Sequence, residues 1–175
     1  ALGVLALARL QIGNAGEARH ASARGTAVQM APELRERMVI NRAARTADPT
    51  LNPYRTAFEA KGAAAKSCIA DLCSAAELAA WDLAQWKAEL AAKLPGGDAA
   101  VFNVPGDATQ FAVLIAWQDL GTRNEGQTQA DGRLVDVALF DDADSVWHDL
   151  ASKGSGIQNL NCPRLNICHL AHIRP

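Results

Sequence analysis

The hydrophobic positions fall into blocks with different periods. The opening Ala1–Ala8 is apolar on every side, and from Arg9 onward the chain turns amphipathic without meeting a turn signal. Ala23, Ala27, Met30, Leu34 and Met38 recur at steps of three and four, which marks one face of a helix. One long helix is therefore expected from the start to about Arg45. Pro32 lacks an N–H and its ring crowds the carbonyl of Val28, so a kink or restart is expected there.

Asp48-Pro49, Asn52-Pro53 and Gly62 are turn chemistry without a sustained period, and predict a connecting loop between Thr46 and Ser67. Ser74-Ala75-Ala76-Glu77 has the form of a capping box and starts a second helix. Its apolar stripe is Ala79, Leu83, Trp86, Leu90 and Leu94, and Pro95-Gly96-Gly97 ends it.

Strand signals follow at Ala100–Val104, Phe111–Trp117 and Leu134–Phe140, with Pro105-Gly106-Asp107 as a hairpin connection between the first two. A three-stranded antiparallel meander is the expected sheet. Gly121–Gly132 reads as an exposed loop, Asp144–Ala151 as a short helix and Lys153–Gly156 as a joint. From Ile157 the tail shows no period, so its two cysteines are expected to shape it. The fold class is α+β: a long N-terminal helix (1–45) packed on a head (46–175) that forms one domain with the helix's C-terminal half.

Composition narrows the function. Across 175 residues, 49% are apolar and 21% charged, the profile of a globular domain rather than a multi-span membrane protein. A net charge of −2 offers nothing to a polyanion, so nucleic acid is not an expected partner.

Four cysteines, Cys68, Cys73, Cys162 and Cys168, form two tight clusters, which fits an oxidising compartment. Reduced, buried thiols are the plainer alternative. Short separations favour the pairs Cys68–Cys73 and Cys162–Cys168 over the other connectivities.

Other chemistry is thin. Cys162, Cys168, His169 and His172 suggest a metal, but spacings C-x₅-C and H-x₂-H differ from the usual zinc pairs. Cys68 and Cys73 are too far apart for a C-x-x-C redox motif. Gly154-Ser155-Gly156 lacks the spacing of a nucleophile elbow, and Asp141, Asp142 and Asp144 lack the rest of a calcium loop. Neither phosphate-binding glycine fingerprint is present. Trp81, Trp86, Trp117 and Trp147 could line a cage, although Trp86 and Trp117 lie on core stripes. No catalytic, cofactor or metal residue and no small-molecule substrate is expected.

Three stretches resemble PilV-type minor pilins of the type IV pilus. Leu5-Ala6-Leu7-Ala8-Arg9-Leu10-Gln11 resembles the end of their hydrophobic segment. Leu34-Arg35-Glu36-Arg37-Met38 followed by Asn41-Arg42 resembles their "ERM..NR" stretch. Trp81-Asp82-Leu83-Ala84-Gln85-Trp86, leading to Leu94-Pro95-Gly96-Gly97, resembles their second-helix end. The likeness covers about Ala1 to Trp117.

It implies a lollipop-shaped pilin fold and a non-enzymatic structural role, priming pilus assembly and sitting at the tip. The implied partners are other minor pilins, the major pilin and a PilY-type adhesin. The implied location is the inner membrane facing the periplasm, then the pilus tip. Leu2, Leu5, Ile12, Met30, Leu34 and Met38 would form the assembly helix. The family's leader and early glutamate would lie upstream of Ala1, with about a dozen further apolar residues to complete a span. A minor pseudopilin of a type II secretion system is the near alternative, and a periplasmic enzyme or ligand-binding domain the distant one.

Overall fold

The computed structural model describes residues 2–44, 51–60, 66–104, 107–118, 162–163 and 166–175, with the side chains of 2–17 and Ala108 excepted. Two helices, α1 (Leu2–Ile40) and α2 (Ala75–Lys93), pack on one face of a sheet made of β1 (Asp98–Val104), β2 (Asp107–Gln118) and β3 (Asn166–Ile173). The strand order is β1-β2-β3, antiparallel throughout.

Helix α1 runs through Pro32 without a restart. Pro32 and Val28 are both exposed, so the ring and the carbonyl it leaves unbonded face solvent, where the loss costs least. The helix stops at Ile40 rather than near Arg45, and a short 3₁₀ turn, Arg42–Ala44, follows. Helix α2 opens with the expected capping box: the Ser74 amide donates to Glu77 Oε2 at 2.7 Å, and the Glu77 amide to Ser74 Oγ at 3.3 Å. It closes at Leu94, where Gly97 passes so near that a Cβ there would lie 2.5 Å from the Leu90 carbonyl oxygen.

Both predicted helix stripes enter one core. Ala27, Met30, Leu34 and Met38 of α1 meet Ala79, Leu83, Trp86 and Leu90 of α2, Leu94, and the inner faces of the strands, with Ala23 at the margin. Phe111, Val113, Ile115 and Trp117 of β2 point to the helices. Ala112, Leu114 and Ala116 point the other way, into a second cluster with Phe102, Cys162 and Cys168. Residues 111–117 are thus buried on both faces.

The tail departs from expectation. Residues 166–173, read as lacking a period, form β3, with Val113 opposite Ala171 and Trp117 opposite Ile167. Ile167, Ala171 and Ile173 alternate toward the helices, but His169 shares their face, and this polar interruption hides the strand period. Both edges of β2 are taken, by β1 and β3. The expected loop at 121–132, strand at 134–140, helix at 144–151 and joint at 153–156 lie outside the described residues, as do Trp147 and the acidic run.

Candidate functional site

The element with the clearest reach is α1. Its C-terminal half is held by three kinds of contact. Met30, Leu34 and Met38 are buried in the core. The Trp86 indole N–H donates to the Met30 carbonyl at 2.8 Å. Arg37 pairs with Glu89 at 2.8 Å, and Arg35 Nε donates to the Arg174 carbonyl at 2.8 Å.

Arg24 lies near enough to His169 for its charge to act on the imidazole. Eleven helical residues from Arg24 to Arg35 advance about 16 Å, as do five strand residues from His169 to Arg174, so α1 and β3 run parallel and level. By that measure Asn166, the first residue of β3, is level with about residue 17. The preceding stretch of α1, with Leu2, Leu5 and Ile12, continues about 20 Å beyond the described strands. On the outward face, Gly25 has open space where a side chain would be.

A polar junction fixes the other end. Buried Asn41 donates to the Ala75 carbonyl at 2.8 Å and to the Tyr54 hydroxyl at 3.2 Å, and that hydroxyl donates to Asp82 Oδ2 at 2.6 Å. Burial, followed by the bond to Asp82, pushes the phenol's pKa upward, so it remains a neutral donor.

Compared with known proteins, the chain matches no family model, no curated protein and no solved structure.

Among the described residues, an open groove of about 730 Å³ is lined by Glu59, Lys87, Gly97 and Asp98 among others. Its chemistry is already used internally. The three protons of Lys87 Nζ go to the Ala57 carbonyl at 2.8 Å, the Ala60 carbonyl at 3.1 Å and Asp98 Oδ1 at 2.9 Å. Asp98 also receives the Glu59 amide at 2.6 Å and its neighbour's amide at 2.7 Å. Lys87 thereby pins the 57–60 segment to α2 and β1.

The cysteines pair as expected, Cys68–Cys73 and Cys162–Cys168. That removes both tail thiols from metal binding. His169 and His172, three apart on a strand, point to opposite faces. Among the described residues no group of three potential metal ligands occurs. Trp86 and Trp117 are core residues, and Trp81 is half-buried. Among the described residues no helix is long and apolar enough to cross a membrane.

Sequence reading missed Asn41, Tyr54, Asp82 and Lys87 as anchoring residues. Tyr54 is the only tyrosine of the chain and follows Asn52-Pro53, a signal that a turn was being held.

Proposed function

We propose that this protein is a non-enzymatic assembly subunit, a PilV-type minor pilin that helps start the type IV pilus and sits at its tip with other minor pilins and a PilY-type adhesin. The observation that carries the reading is the division of α1. Its C-terminal half is fastened to a small antiparallel sheet, while its N-terminal stretch, rich in leucine and alanine, runs on past the described strands. A helical stretch rich in leucine and alanine suits a bundle of like helices or a lipid phase. The stretches around Leu34–Arg42 and Trp81–Gly97, which resemble the family, supply the core contacts and the junction at Asn41 that set the helix on the head.

Two further features fit. Both disulfides suit an oxidising periplasm, and Lys87 and Asp98 of the open groove are paired with each other.

The test is deletion of the gene in its host. Surface pili and twitching should fall sharply while major pilin is still made, and the intact gene should restore both. Normal pili in the deletion strain overturn the reading. Normal pili with failed protein secretion would favour a type II pseudopilin.

A further inference from the structure

One group of the open groove stands outside its internal pairing. Lys87 and Asp98 hold each other and the backbone of the 57–60 segment. The carboxylate of Glu59, an exposed residue of the lining, has no hydrogen-bond or ionic partner among the described residues. Glu59, Lys87 and Asp98 are the charged residues of the lining, so two carboxylates against one ammonium leave one negative charge unmatched. That charge is on Glu59.

Glu59 is also held in a costly conformation. Its φ of 60° lies in the left-handed region, where it is the sole non-glycine among the described residues. The Lys87–Asp98 pair imposes it. The Glu59 amide donates to Asp98 Oδ2 at 2.6 Å, and Lys87 Nζ donates to the carbonyls on either side, Ala57 at 2.8 Å and Ala60 at 3.1 Å. Glycine would adopt this turn without strain, and no described contact uses the carboxylate, so the fold itself has no need of glutamate here. Strained backbone fixed by its surroundings is a feature of ligand clamps.

Most of the remaining lining is apolar. Ala84, Ala88 and Ala91 follow one another at steps of four and three on one face of α2, a row about 10 Å long, and Gly96 and Gly97 add bare backbone. Lysine and arginine lay their aliphatic stems along such surface and keep the charged head at a polar edge. An anion would instead meet two carboxylates, and an uncharged chain would gain nothing from Glu59.

We propose that this groove docks a basic side chain, lysine or arginine, of a partner polypeptide, with the stem along Ala84, Ala88 and Ala91 and the cation on the Glu59 carboxylate. The docking is independent of the pilin reading.

Amide NMR of the isotope-labelled full chain, titrated with a blocked tripeptide carrying lysine at its centre, tests it. The amides of Glu59, Ala60, Ala88 and Gly97 should shift with a dissociation constant of about a millimolar, and an arginine tripeptide should act alike. Replacing lysine by uncharged norleucine, or Glu59→Gln in the protein, should each weaken binding about fivefold, the most that one exposed ion pair supplies. Ala88→Leu, at an exposed helix position, should weaken it as well by filling the groove. Glu59→Gly relaxes the turn, so it should lose the peptide while melting no lower than the parent, a combination that misfolding would not produce. An absence of shifts at these amides up to tens of millimolar peptide overturns the proposal, as does binding indifferent to Glu59→Gln. A norleucine peptide held as tightly as the lysine one also overturns it and gives the groove to apolar side chains.

Discussion

The two disulfides close loops of nearly equal size, with separations of 5 and 6 residues, yet they sit in opposite surroundings. Cys162–Cys168 is buried against Phe102, Ala112, Leu114 and Ala116, and Cys168 itself belongs to β3. Cys68–Cys73 closes a loop whose apolar side chains point to solvent. Loop closure restricts the unfolded chain about equally in both, by about 2 kcal/mol for so short a loop. The difference lies in the folded state. One bond ties β3 to the residues just before it inside the second cluster, and the other shapes a surface.

The largest effect should separate them directly. Replacing Cys162 and Cys168 together by Ala removes the closure, leaves space in the second cluster and loosens β3. The loss should approach the upper end of the about 2–5 kcal/mol seen for native disulfides in small domains. The same change at Cys68 and Cys73 should cost about 2 kcal/mol or less. Denaturant unfolding of both variants checks this, and equal losses would erase the distinction. In mild reductant, peptide mapping should find the Cys68–Cys73 bond opened first, because its sulfurs are the more accessible.

Next come the leucines on either side of the divide. Leu34→Ala and Leu90→Ala, each at a position with no exposed area, should cost about 2–5 kcal/mol. Leu72→Ala should stay within about 0.5 kcal/mol, because its side chain touches almost nothing. An unchanged melting temperature for both core variants would contradict the packing.

How legible these regions were follows from the same contrast. The two helical stripes, the capping box and the first two strands carry local signals: a repeat of three and four, an S-x-x-E, an alternation. The cysteine pairing could be read because each pair is close in sequence. β3 was missed because His169 occupies a core-facing position beside Ile167 and Ala171, which breaks the alternation. The junction of Asn41, Tyr54, Asp82 and Ala75 spans 34 positions in its longest direct bond, and no local pattern announces a hydrogen bond at that range. The projection of α1 was foreseeable only in part: the apolar run was visible, but where the sheet would end alongside it depended on β3.

That junction makes a smaller prediction. Tyr54→Phe keeps the ring and removes the hydroxyl, leaving Asp82 and Asn41 each short of a partner. A loss of about 1–2 kcal/mol is expected in thermal or denaturant melts. Adding Asp82→Ala should produce less than the sum of the two single losses, because both remove the same bond. Strict additivity would show that the hydroxyl and the carboxylate do not act together.

The smallest effects should distinguish the regions by pH. Glu77 braces the exposed loop, accepting from Ser74 and Lys66, and the bond from the Ser74 backbone is the largest cause that lowers its carboxyl from 4.5 to about 2. A carboxyl with a depressed folded pKa stabilises above its unfolded value and loses that contribution as pH falls toward the folded one, here between about 4.5 and about 2. His169, on the strand that carries the buried disulfide, behaves differently. Burial, followed by the Arg24 charge, holds its pKa below the usual 6.5, so the folded protein favours the neutral ring. The unfolded chain then takes up the proton first, and stability falls as pH drops below 6.5. Melting temperatures measured from pH 8 to 2 should therefore show two separate declines. His169→Gln should lessen the upper one, to which His172, also held down by burial, contributes, and leave the lower intact, whereas Glu77→Gln should lessen the lower one, which Asp107, held down by its bonds to Thr109, shares, and leave the upper intact. If either substitution changed both declines equally, β3 and the exposed loop would be responding as one unit, and the contrast between the two disulfide regions would fail.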